Sequence, residues 1–110
     1  MLDRRTARSR ALHRAVAQKV RADPERSLAL ARARVAHWAS TAPHARYYVD
    51  EWTRWLDAPI TDVCSLLADD DSEYAESLRR MSPFVGVLDP WERWAIHQQF
   101  RQDRWTADAP

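Results

Sequence analysis

Glycine is almost absent from this sequence of 110 residues, in which it occurs once, at Gly86. Tight turns with positive φ depend largely on glycine, so its near absence disfavours a hairpin-rich β architecture. A single glycine also cannot form the glycine-rich loop that holds phosphates in nucleotide-binding enzymes. The six prolines punctuate the chain instead, mostly at positions where a helix would begin or end.

Cysteine is equally scarce, since Cys64 is the only one and an intrachain disulfide is therefore impossible. Cys64 lies in the apolar run 63–67, where a free cysteine behaves as a small core residue and suits a reducing compartment. The sequence has no apolar signal segment at its start and no run of about 20 apolar residues for a membrane span. We therefore expect a cytoplasmic protein that does not enter a membrane.

Catalytic and metal-binding patterns are also missing. No two of the four histidines have the spacing that places imidazoles together on one helix face, and Cys64 does not complete a zinc set with them. No serine has the context of a nucleophile elbow. The sequence predicts a protein without a catalytic site, a cofactor or a metal of its own. An enzyme that works as one subunit of a larger site is the alternative.

Helical periodicity is what the sequence does contain. Apolar residues recur every three to four positions over about residues 5–22, 24–40 and 44–57, and shorter stripes follow Pro59 and Ser72. These patterns, with the last helix described next, predict an all-α fold. We expect a compact bundle of about five to six short amphipathic helices.

The last helix has the clearest start signal in the chain. Asp89 is its predicted N-cap, Pro90 takes the first helical position, and Glu92 is placed to complete a capping box. The preceding residues 82–88 are apolar but lack a helical period. We expect them to form a buried, extended connector.

The chain shows no internal repeat and no domain linker. We therefore expect a single helical domain over residues 1–104, which begins with a basic N-terminal arm at residues 1–10. Residues 105–110 are predicted to form a mobile tail.

Positive charge is concentrated at the start of the chain. Residues 1–34 contain ten basic and three acidic residues, whereas residues 35–76 contain two basic and nine acidic residues. A cluster of arginines can neutralise phosphates, so the predicted nucleic-acid-binding residues are Arg4, Arg5, Arg8, Arg10 and Arg14. The alternative is that the basic and acidic thirds neutralise each other, within the fold or across a dimer.

Tryptophan is in surplus, with six residues in a small chain. Tryptophan is hard to bury completely and is enriched at interface hot spots. The predicted partner-binding residues are therefore the two helical pairs Trp52, Trp55, Trp91 and Trp94, of which at least one per pair is expected in the core. The acidic run of Asp69, Asp70 and Asp71 is expected to cap a helix and offers a second surface, for a basic partner.

Several short blocks follow one another between about residues 11 and 101. They are LHRAVA at 12–17, RADPE at 21–25, ARAR at 31–34 leading to Trp38, EW at 51–52 with LDAP at 56–59, SLL at 65–67, and SPFVGVL at 82–88 with ERWAI at 92–96. In this order they resemble a family of small bacterial proteins, often labelled transcriptional regulators, that act as antitoxins in toxin–antitoxin pairs. The last two blocks are the most specific part of the resemblance.

The resemblance implies a non-enzymatic antitoxin that neutralises its toxin by direct binding and autoregulates its transcription. The implied partners are the cognate toxin and operator DNA. A homodimer is favoured over a monomer, because a charge-segregated chain rich in tryptophan has surface to cover. The alternative function is a stand-alone DNA-binding regulator that uses the arginine-rich N-terminus.

Overall fold

The computed structural model describes residues 2–101 and contains six α-helices, two single 3₁₀ turns and no strand within that range. The all-α prediction is confirmed. The helices are α1 (Arg4–Ala22), α2 (Pro24–Thr41), α3 (Arg46–Leu56), α4 (Ile60–Ala68), α5 (Glu73–Arg80) and α6 (Pro90–Gln99), and the 3₁₀ turns are Pro43–Ala45 and Val85–Val87.

Short polar side chains set the points at which four helices begin. Asp3, Asp23, Ser72 and Asp89 each accept a hydrogen bond from a backbone N–H in the first turn of the helix that follows. At α6 the Glu92 carboxylate accepts the Asp89 N–H in return, at 3.1 Å. The predicted capping box is therefore present.

Helix α1 lies at the centre of the bundle. It packs against α2, α4, α5 and α6 and against the second 3₁₀ turn. Burial of a large apolar side chain contributes about 1.5–3 kcal/mol, so this shared core provides most of the stabilisation. The core is formed by residues of α1 to α5 and by Phe84 and Leu88 on either side of the second 3₁₀ turn. It includes Val16, Val20, Ala31, Val35, Trp52, Leu56, Val63, Leu66, Leu67 and Leu78.

Trp52 belongs to this core, so its predicted place on a partner surface is wrong. Its side chain is fully buried, and its indole N–H donates to the Met81 carbonyl at 2.7 Å. Its ring meets Phe84 edge to face, with 5.7 Å between the ring centroids. The buried indole thus has both its polar and its apolar contacts within the chain.

The segment 82–88 was expected to be a buried, extended connector, but it is only partly buried and is not extended: Pro83, Phe84 and Leu88 are buried, whereas Gly86 is exposed. Val85–Val87 form a 3₁₀ turn, and the Val87 N–H donates to the Phe84 carbonyl at 3.0 Å. The turn directs Phe84 and Leu88 into the core. A single 3₁₀ turn is too short to produce a periodic signal, which is why the sequence pattern did not reveal it.

The basic N-terminal arm predicted at residues 1–10 is not a separate arm. Helix α1 begins at Arg4 and continues without interruption to Ala22, so most of the predicted arm is its first turns. The tail predicted at residues 105–110 lies outside the described residues, as does the end of the predicted domain at 102–104.

Candidate functional site

The five arginines predicted to bind nucleic acid have different surroundings. Arg10 forms a salt bridge with Glu76 of α5, and Arg4 donates to the Phe100 carbonyl at 3.2 Å. Arg14 is exposed. The remaining two, Arg5 and Arg8, line a cleft between α1, α5, α6 and the second 3₁₀ turn. The structure therefore does not gather the five into one patch.

We name this concavity the arginine cleft. It has a volume of about 420 Å³, and its lining consists of Arg5, Arg8, Ser9, Leu12, His13, Arg79, Arg80, Val85 and His97. Four guanidinium groups and two imidazoles therefore share one cleft, and no carboxylate lines it. Asp3, the exposed N-cap of α1, lies within the influence of this charge: its pKa is lowered mainly by its hydrogen bonds to Thr6 and further by Arg5 and Arg80.

Arg79 is the buried charge of the arginine cleft, with 3% of its surface exposed. One of its terminal nitrogens donates to the Leu66 carbonyl at 2.7 Å, and the other lies 3.5 Å from the Glu76 carboxylate. Its Nε and the terminal nitrogen that faces Glu76 have no hydrogen-bond partner among the described residues. Because Glu76 also pairs with Arg10, one carboxylate faces two guanidinium groups. Burial lowers the pKa of Arg79, and Arg10 lowers it further.

His13 is the second buried polar side chain of the cleft. Its Nδ1 lies 2.7 Å from the Ser9 carbonyl, so the neutral ring carries its proton on Nδ1 and exposes a lone pair on Nε2. That Nε2 is buried and has no partner within residues 2–101. Burial lowers the pKa of His13 to about 4, with a contribution from the charge of Arg79. Burial also lowers the pKa of His97, together with Arg8 and Arg93.

Trp91 and Trp94 form an exposed aromatic face on α6. Their side chains are 77% and 57% exposed, and their rings meet edge to face with 6.2 Å between centroids. No residue of α6 is fully buried. The helix is held by Ile96 against the core and by a Lys19–Glu92 salt bridge of 3.2 Å. We call this surface the tryptophan face.

Trp55 differs from both, because it is half-buried and already hydrogen-bonded. Its indole N–H donates to the Tyr74 hydroxyl at 2.8 Å, and that hydroxyl donates to Glu51 at 2.7 Å. Glu51 also pairs with Arg54. Burial and the Glu51 hydrogen bond raise the pKa of Tyr74, while that same bond is the main cause that lowers the pKa of Glu51. Trp55 is thus only partly available to a partner.

The three predicted aspartates lie exposed at the corner between α4 and α5. The Asp70 carboxylate accepts the Ser72 N–H at 2.9 Å, and hydrogen bonds to Ser72 lower the pKa of Asp70. Ser72, rather than an aspartate, is the N-cap of α5. Asp69 and Asp71 remain beside it as exposed charges. Nowhere in residues 2–101 do three His, Cys, Asp or Glu side chains group in a way that suits a metal ion.

Within residues 2–101, two salt bridges join the basic third of the chain to the acidic third. Arg10 of α1 pairs with Glu76 of α5, and Arg32 of α2 pairs with Asp57 at 3.2 Å while donating to the Leu56 carbonyl. The basic and acidic thirds therefore neutralise each other in part within the fold, as one of the two alternatives from the sequence proposed. The arginine cleft is where positive charge remains in excess.

Arg79, Arg80, His13 and His97 are cleft residues that the sequence pattern did not identify. Arg79 stands four positions after Ala75, on the inward face of α5. This i, i+4 relation is the signal that could have marked it as buried.

No protein-family model matches the chain, and neither a curated protein nor a solved structure matches it. Within residues 2–101, none of the helices combines the length and the hydropathy that a membrane crossing requires.

Proposed function

We propose that this chain is a non-enzymatic interaction protein that binds a partner protein through the tryptophan face of α6. The observation that supports the proposal is the exposure of Trp91 and Trp94, side by side, on a helix that has no fully buried residue. Burial of one large apolar side chain contributes roughly 1.5–3 kcal/mol. Two indoles that stay in water therefore leave several kcal/mol of burial free energy unrealised. A partner surface that covers them recovers it.

The finer proposal is that the partner is a cognate toxin and that the chain acts as its antitoxin in the cytoplasm. The resemblance of the blocks at 82–88 and 92–96 supports this, and the second of these blocks contains Trp94. The acidic corner at Asp69, Asp70 and Asp71 complements the basic substrate surface of a toxin that acts on nucleic acid. A homodimer that pairs two tryptophan faces is the competing way to cover the same surface.

Co-expression with the neighbouring gene tests this proposal. We expect the two products to co-purify, and we expect toxicity of the neighbour alone to be relieved by this chain. Replacement of Trp91 and Trp94 by alanine should weaken the affinity at least 30-fold, since a hot-spot aromatic contributes about 2 kcal/mol or more. Tyr47→Ala is the matched control, because Tyr47 is a 54% exposed aromatic side chain on α3.

Three outcomes would contradict the proposal. The first is a neighbouring product that is harmless and does not co-purify with this chain. The second is a double tryptophan variant that binds as tightly as the unchanged chain. The third is a Tyr47→Ala variant that weakens binding as much as the double tryptophan variant does. Light scattering of the isolated chain tests the homodimer separately. A dimer that the double variant dissociates would assign the tryptophan face to self-association.

DNA binding is the second candidate, supported by the exposed edge of α1. Arg5 and Arg14 are exposed on this helix and Arg8 is half-buried, so they could reach phosphates without loss of an internal salt bridge. A promoter-fragment shift assay over a salt series tests it. Each arginine changed to glutamine should reduce the salt slope by about one if it contacts a phosphate. An unchanged slope in Arg5→Gln and Arg14→Gln would exclude α1 as the DNA-binding element.

A further inference from the structure

We propose that the arginine cleft binds a phosphate group between Arg8 of α1 and Arg79 of α5. This inference does not rest on the tryptophan face or on DNA binding. The phosphate group belongs to inorganic phosphate or to a phosphomonoester, and the experiment below includes one ligand of each kind together with a DNA duplex as the contrasting case.

The charge of the cleft is the first support. Four arginines line it and no carboxylate does. Glu76 does not line the cleft, and its carboxylate is shared between Arg10 and Arg79, so it neutralises the charge of at most one of them. Positive charge in a concave, partly desolvated site attracts anions more strongly than the same charge on an open surface. Arginine suits phosphate because its planar fork presents parallel N–H donors.

The unsatisfied donor on Arg79 is the second support. A buried N–H group without an acceptor is rare in folded proteins, because it costs the full desolvation of that group. The Arg79 Nε is such a group, on a side chain that is almost fully buried and lines the cleft. One terminal nitrogen donates to the Leu66 carbonyl, whereas the other lies 3.5 Å from the Glu76 carboxylate and makes no hydrogen bond, so it is a second unsatisfied donor. An anion oxygen in the cleft supplies the missing acceptor.

His13 narrows the anion to phosphate. Its Nε2 is an acceptor without a donor, in the same wall as Arg79. Inorganic phosphate near neutral pH still carries a hydroxyl, which can donate to Nε2 while its other oxygens accept from the arginines. Sulfate has no proton to donate near neutral pH. It would therefore leave the lone pair unsatisfied or force His13 to take up a proton. The unsatisfied donors of Arg79 and the unsatisfied acceptor of His13 thus fit an anion that both accepts and donates hydrogen bonds.

Titration calorimetry of the full chain with inorganic phosphate, sulfate, a nucleoside monophosphate and a short DNA duplex tests this proposal. We expect saturable binding of phosphate, at least tenfold tighter than that of sulfate. Arg8→Gln should weaken it at least tenfold. Arg21→Gln is the matched control, because it removes the same charge from an exposed position of the same helix outside the cleft and outside the predicted DNA-binding set. It should change the affinity less than twofold.

A spectroscopic measurement on the unchanged chain avoids dependence on folding of an Arg79 variant. Phosphate should shift the Nε–H resonance of Arg79 and raise the pKa of His13 above its value of about 4 in the free chain. Duplex binding without binding of free phosphate would contradict the proposal, because a backbone phosphodiester has no hydroxyl to donate to the His13 Nε2. Failure of all four ligands to bind, equal loss in both variants, or sulfate binding as tight as phosphate binding would overturn the proposal.

Discussion

Acidification should destabilise this protein through His13 well before its carboxylates titrate. The folded chain holds His13 neutral, with burial lowering its pKa from 6.5 to about 4, whereas the unfolded chain titrates near 6.5. Below 6.5 the unfolded state therefore binds a proton that the folded state does not. The contribution of neutral His13 to the free energy of unfolding is fully present above pH 6.5. It decreases as the pH falls below 6.5, and it stops decreasing below about pH 4.

The size of this loss follows from the two pKa values. Between about pH 7.5 and about pH 4.5, the free energy of unfolding should fall by about 2.5 kcal/mol on account of His13, with a slope that approaches about 1.4 kcal/mol per pH unit. That is a large fraction of the 5–15 kcal/mol that stabilises a typical domain. The lowered pKa values of Asp3, Asp89 and Glu51 act at lower pH, so they contribute little in this window.

Urea unfolding over this pH range, in a buffer free of phosphate and sulfate, measures the effect. His13→Gln is the comparison, because glutamine does not titrate and only the difference between the two pH profiles is needed. Histidines common to both chains, including His97, cancel in that difference. Parallel profiles, which differ by less than about 0.5 kcal/mol over the window, would show that His13 is not held neutral and would refute the reasoning.

Three further outcomes are expected. Trp52→Ala should lower the free energy of unfolding by about 3–5 kcal/mol in urea titration, whereas Trp94→Ala should change it by less than about 0.5 kcal/mol. Asp89→Ala should cost about 1 kcal/mol through loss of the capping box, and thermal unfolding should show a matching drop in Tm. The Cys64 thiol, buried and with its pKa raised mainly by that burial, should resist iodoacetamide until the chain unfolds. Prompt labelling of native protein, equal effects of the two tryptophan changes, or an unchanged Tm would contradict these expectations.

Much of the fold could be read from the sequence because periodicity and capping are local properties. The apolar run 63–67 indicated the buried part of α4, and the signals at Asp89, Pro90 and Glu92 predicted the start of α6. The rotation of a helix about its axis was less certain. On α5, Tyr74 and Leu78 have the i, i+4 spacing of one helix face, yet Leu78 is buried with Ala75 and Arg79 whereas Tyr74 is exposed.

The site residues were harder to predict because burial depends on partners that are distant in sequence. Trp52 and Trp91 each begin a tryptophan pair with i, i+3 spacing, yet their exposures are opposite. Trp52 is buried because Met81 and Phe84, about 30 positions later, provide a carbonyl and a ring. Spacing alone does not contain that information. The burial of Arg79 was not predicted, because a charged residue is usually assigned to the surface.

The central position of α1 also constrains how the chain can be synthesised. A ribosome that has released only α1, α2 and α3 has made the inward face around Val16 and Val20 without α4, α5 or the second 3₁₀ turn, which pack against it. Helix α4 covers part of this apolar face, and the rest stays exposed to solvent until Phe84 and Leu88 have left the ribosome. The packing around α1 is therefore completed late in folding, although α1 precedes the other five described helices in the chain. Fragments that stop before Ile60 should bind chaperones or aggregate rather than form a stable subdomain.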